Sequence, residues 1–196
     1  MRALKIGALL SLVALMTGCA AVTQQDLAET EKLCDLRGRT EVAVLLGKMP
    51  LSNAERNNMS LAMMALNQYP TENEKQAILK LDELSKPCET KAEQNSDKIG
   101  AMMPEISGVA RNSRAALKAN QAALYAGQIT YGEYNKNVQF IVSRYMDTAT
   151  QIVGAYQRRQ QANAQALSQI YLQELMKQPT FTSCNAFGNT LNCSTR

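Results

Sequence analysis

The sequence predicts an all-α protein: an elongated helical bundle with a long antiparallel helical hairpin and a disulfide-closed C-terminal tail. Three observations carry that expectation. The pattern Ser/Thr-x-x-Glu, in which a hydroxyl and a carboxylate satisfy orphan backbone donors at a helix start, occurs at Ser52/Glu55, Thr71/Glu74 and Thr130/Glu133. Apolar residues in the last third recur at alternating steps of four and three. No stretch alternates with period two and aromatics make up only 5% of the chain, while Ala, Gln, Asn and Met are abundant. That composition favours helices packed through small and flexible side chains over a β-sandwich.

The chain opens like an export signal. Arg2 and Lys5 precede an apolar run over residues 6–16, too short to span a bilayer, and the small residues Thr17 and Gly18 lead to Cys19. A plain secretory signal asks for small residues at the first and third positions before the cut, and Met16 fits that poorly. "LMTGCAA" resembles the lipobox of Gram-negative bacterial lipoproteins, with Met16 where that family usually has leucine and Leu15 one place earlier. The resemblance implies that residues 1–18 are a lipoprotein signal peptide and that Cys19 is acylated as the first mature residue. Each buried acyl methylene contributes about 0.8 kcal/mol, so one chain binds a membrane reversibly and several bind it durably. In that family an aspartate after the cysteine tends to retain the protein in the inner membrane. Ala20 therefore implies the outer membrane, at its periplasmic face or the cell surface. The alternative is a secreted protein in which Cys19 is spare.

Helices are expected over 24–46 with a weak point at Gly38, then over 53–68, 72–86, 90–126 and 131–177. Gly100 and Pro104 are expected to kink or split the fourth of these. Tyr69-Pro70, Pro87, Gly127 and Pro179 punctuate the chain. The mature part, 19–196, reads as one domain with an N-terminal helical part (19–99), the long hairpin (100–178) and a C-terminal disulfide loop (179–196).

In the hairpin, the stripe Ile106, Val109, Ser113, Leu117, Asn120 and Leu124 faces the seam Val138, Val142, Tyr145, Ala149, Ile152, Tyr156, Asn163, Ala166 and Ile170. The seam thins at "RRQQANAQ", which is either a solvated projection or a surface awaiting another protein.

With Cys19 set aside, Cys34, Cys88, Cys184 and Cys193 remain, an even number suited to an oxidising compartment. Cys184 and Cys193 flank "NAFGNTLN", whose Gly188-Asn189 suits a turn, so they are paired with each other and Cys34 with Cys88. On the chain-entropy account the short loop contributes about 2.7 kcal/mol and the long one about 4 kcal/mol.

"GKMPL", "YPTENEKQAI" and "GQITYGEYN" resemble segments of small, cysteine-bearing, uncharacterised helical lipoproteins of proteobacteria. That resemblance implies a helical envelope protein and no activity.

The chain has no histidine, hence no Ser-His-Asp or Cys-His nucleophile system, and no C-x-x-C metal spacing. Asp82-Glu83 and Glu72/Glu74 fall on polar helix faces, and no phosphate-cradling glycine loop or transglycosylase "ES" pair occurs. No catalytic residue, metal or cofactor is assigned, and a non-catalytic interaction or scaffold protein of the envelope is expected.

Charge is unevenly placed, with ten basic against thirteen acidic residues over 19–99 and nine against four from residue 100 onward. Arg111, Arg114 and Lys118 share one helix face. That face is either solvated or a binder of anionic envelope polymer such as lipopolysaccharide. Nucleic acid fits poorly, since aromatic stacking partners are scarce nearby.

Overall fold

The computed structural model describes residues 22–176, 182–187 and 190–195. The signal segment, Cys19, Pro179 and Gly188-Asn189 lie outside them. The described residues are all-α apart from one small hairpin: α1 (Gln24–Cys34), a 3-10 turn (Thr40–Leu45), α2 (Asn53–Asn57), α3 (Leu61–Met64), α4 (Glu72–Gly100), α5 (Pro104–Tyr125), α6 (Tyr131–Met176), β1 (Thr182–Phe187) and β2 (Thr190–Thr195). It divides into two compact units, Met1–Val153 and Gly154–Arg196, so the division falls inside α6.

In the first unit, α1 begins in a capping box between Thr23 and Asp26 and ends at Cys34, well short of the expected residue 46. The chain leaves the helix because Leu36 is needed in the core: its N–H donates to the Leu51 carbonyl at 2.9 Å, and its side chain is buried. The expected helix over 53–68 is likewise two short pieces, started by the hydroxyls of Ser52 and Ser60. Beyond α3 the backbone serves another helix. The carbonyls of Leu66 and Gln68 accept from the N–H groups of Gly132 and Tyr131, at 2.8 and 2.9 Å, satisfying orphan donors at the start of α6. That approach needs a residue without a side chain, since a Cβ on Gly132 would lie 2.8 Å from the Met64 carbonyl oxygen.

Helix α4 starts at the Thr71/Glu74 box and runs through Pro87, where a stop was expected. The proline forfeits one intrahelical hydrogen bond. Contacts with α1 and α5 hold the helix together across the gap. Along α1 the Asn95 amide donates to the Thr30 hydroxyl at 2.9 Å, Lys98 reaches Asp26 at 3.0 Å, Lys91 reaches Glu29 at 2.6 Å, and Cys34 is bonded to Cys88. These pairs fix α1 antiparallel to α4. The Asp26 carboxyl is held well below the usual carboxylate range, first by the Thr23 backbone N–H and then by Lys98, Lys91 and the Thr23 hydroxyl.

The split expected near Gly100 falls after it, and α5 opens on Pro104 in its first turn. Helix α5 returns along α4, with the Ser107 hydroxyl donating to the Ser96 carbonyl at 2.8 Å. A turn through Gly127, at φ 70°, leads into α6 through the Thr130/Glu133 box. The hairpin of α5 and the start of α6 is antiparallel, joined by Asn120 donating to the Tyr134 carbonyl and Asn137 to Asn120 Oδ1, at 3.0 and 2.9 Å. Even so, α5 lies closer to α4 than to α6.

The core gathers Leu36, Val42, Leu45, Met49, Leu51, Met59 and Met63 from the irregular N-terminal stretch. Against these pack Ile78 and Leu81 of α4, Leu124 of α5, and Tyr131, Tyr134 and Val138 of α6. The N-terminal part and the root of the hairpin thus share one core.

In the second unit β1 and β2 pair antiparallel with Cys184 directly opposite Cys193, and those two cysteines are bonded. From residue 157 to 176 every position of α6 is exposed.

Candidate functional site

The basic face expected on α5 meets an acidic face on α4. Lys118 pairs with Asp82 and, at 2.8 Å, with Glu89, while Arg114 lies 3.9 Å from Glu93. Burial pushes the Lys118 ammonium down, but the two carboxylates outweigh it and the net shift is upward. Arg111 is exposed. The three cations are therefore not a continuous positive stripe, because two of them are matched by carboxylates that lie far away in sequence.

Arg114 and Lys118 instead reach a pocket of about 170 Å³ where α1, α2, α4, α5 and α6 converge. Apolar walls come from Leu81, Leu117 and the Cys34–Cys88 disulfide, and a third cation, Arg56 of α2, joins the rim. Among the described residues no carboxylate lies within ion-pair distance of Arg56. Arg56 is held there by a short helix whose start is fixed twice: the Ser52 hydroxyl accepts from the Glu55 N–H, and the Glu55 carboxylate accepts from the Leu51 N–H. Tyr134 also lines the pocket. Burial pushes its hydroxyl pKa up, and the charges of Arg56 and Lys118 pull against that shift.

A second concavity, a groove of about 480 Å³, opens between α5 and α6. Val109, Ser113 and Ala116 form one wall, and Phe140, Ile141 and Tyr145 the other. The predicted seam residues Val109, Ser113 and Tyr145 do face each other here, but across a gap. Phe140 is 64% exposed. Burial raises the Tyr145 hydroxyl pKa, with Arg114 nearby opposing it.

In the second unit the expected seam positions Asn163, Ala166 and Ile170 are exposed. Leu167, Tyr171, Leu172, Leu175 and Met176 are exposed beside them.

Among the described residues no group of three or more acidic or cysteine side chains is placed to hold a metal ion, and no helix is long and apolar enough to cross a membrane. No protein family, curated protein or solved structure matches the chain.

Proposed function

We propose that this protein is a lipid-anchored, non-catalytic lipoprotein of the bacterial outer membrane whose helices serve as an interaction or scaffold surface for another envelope protein. The observation that carries the interaction role is the apolar exposure at the end of α6. Leu167, Ile170, Tyr171, Leu172, Leu175 and Met176 all stand in solvent within ten residues, and exposed apolar patches of this kind mark protein contacts. The lipobox ending in Cys19 supports the anchor, and two disulfides support an oxidising compartment. Binding of an anionic polymer along Arg111, Arg114 and Lys118 is disfavoured, since Asp82, Glu89 and Glu93 face the latter two.

The test combines localisation with capture. Cys19→Ala should abolish acyl labelling and release the protein from the membrane fraction. A photo-crosslinking residue at position 170 should trap a protein partner in membranes, and the same residue at exposed position 111 should not. Acyl label retained on Cys19→Ala removes the anchor. Identical products from positions 170 and 111 remove the interaction surface.

A further inference from the structure

The pocket beside the Cys34–Cys88 disulfide has a chemistry that the interaction role does not use. Its volume, about 170 Å³, lies below the range of about 300–1,000 Å³ typical of drug-sized ligands. It suits a molecule of few heavy atoms. Its walls are apolar at Leu81, Leu117 and the disulfide, and its rim is cationic.

The charge at that rim is specific in amount. Lys118 already faces two carboxylates, Asp82 and Glu89, and Arg114 faces Glu93. Arg56 is the rim cation for which the described residues supply no carboxylate. A planar guanidinium with its donors in a fixed fork matches the two oxygens of a carboxylate or a phosphate, and a single negative charge is what this rim lacks. A dianion such as a phosphate monoester would bring a second negative charge against Glu89, itself part of the lining.

We infer that this pocket binds a small monocarboxylate with a short apolar body, its carboxylate on Arg56 beside Tyr134 and its hydrocarbon against Leu81, Leu117 and the disulfide. Arg56 supplies the counter-charge, the apolar walls supply the hydrophobic contribution, and the size of the cavity limits chain length.

The test titrates the full chain with butyrate, hexanoate, hexanol and inorganic phosphate at fixed ionic strength, followed by calorimetry. Hexanoate should bind at least about tenfold more tightly than hexanol, since a hydrogen bond to a charged group contributes about 1.5–3 kcal/mol, and phosphate should bind more weakly than either carboxylate. Arg56→Gln should weaken hexanoate about tenfold or more, Arg56→Lys should restore part of the loss, and neither should alter hexanol. Tyr134→Phe removes only a hydroxyl and should weaken hexanoate a few-fold, which keeps the test decisive if Arg56→Gln folds poorly. The inference is overturned by no hexanoate binding, by hexanol equal to hexanoate, by phosphate tighter than both carboxylates, or by hexanoate affinity unchanged in Arg56→Gln and Tyr134→Phe. All of these outcomes are independent of Cys19 and of the partner at α6.

Discussion

The ammonium of Lys48 closes on the carboxylate of Glu74, 26 positions later in the chain, and lies 6.0 Å from the centre of the Tyr131 ring. Glu74 is almost wholly buried. Burial pushes its pKa up, yet the net shift is downward, because Lys48 and the Thr71 N–H and hydroxyl outweigh burial. A depressed carboxylate contributes stability that is present above its unfolded pKa, about 4.3, and is lost as pH falls through the folded value. Lys48→Met should therefore cost about 3 kcal/mol at pH 7 by leaving the buried charge with fewer partners. The deficit should begin to shrink as the carboxylate protonates in the variant and should disappear only below the depressed pKa of the native protein, which lies under the unfolded value of about 4.3. Urea unfolding at pH 7 and pH 3.5 measures this, and a deficit independent of pH would show that the pair does not act through charge.

Asn135 is fully buried on α6, and its amide nitrogen donates at 2.8 Å to the carbonyls of both Lys48 and Met63. Asn135→Leu leaves the part-buried Lys48 carbonyl without this donor and the Met63 carbonyl with only the long 3.5 Å bond from the Leu66 N–H, and an under-satisfied acceptor costs about 1–3 kcal/mol. The expected loss is about 3 kcal/mol in chemical denaturation, far more than for Gln139→Leu at the exposed position four residues on. Equal losses would deny the clamp.

Gly132→Ala raises helix propensity by about 1 kcal/mol and should still destabilise. The new methyl would meet the carbonyl oxygens of Met64 and Leu66, at 2.8 and 3.0 Å, which are backbone and cannot rotate away. A fall in Tm of several degrees is expected. A rise would mean that the 64–68 segment yields.

The two parts of the heptad-like seam should respond oppositely to charge. Val138 is 1% exposed, and Val138→Asp should cost more than about 3 kcal/mol. Ile170 is 60% exposed, and Ile170→Asp should change stability by less than about 0.5 kcal/mol while reducing cross-linking to a partner. A large stability loss in Ile170→Asp would place that residue in a packed interior.

Local signals were legible where chemistry is local. The hydroxyl–carboxylate boxes at Thr71/Glu74 and Thr130/Glu133 do start helices, and the pairing of Cys184 with Cys193 follows from a turn of the right length between them. The misplaced boundaries are all places where a distant part of the fold decides. Residues 65–68 read as helix, but the carbonyls of Leu66 and Gln68 are taken by the first turn of α6. Pro87 reads as a stop, but Lys118 of α5 reaches Asp82 before it and Glu89 after it, and α1 is bonded to Cys88 just beyond it. The same holds for the pocket. Arg114 and Lys118 could be placed on a helix face by spacing, whereas the acids opposite them lie 21 to 36 positions away and Arg56 sits in a polar five-residue helix with nothing to single it out.

Mechanical load offers another view of the Cys34–Cys88 bond. Tension entering through α1 passes at Cys34 directly into the middle of α4, so the 54-position interval between the two cysteines stays outside the load path. At about 3.5 Å per residue, roughly 190 Å of chain is shielded from being drawn out. Those shielded residues include the N-terminal share of the core, so a pull on the leading end strains a covalent link before it can unravel the interior.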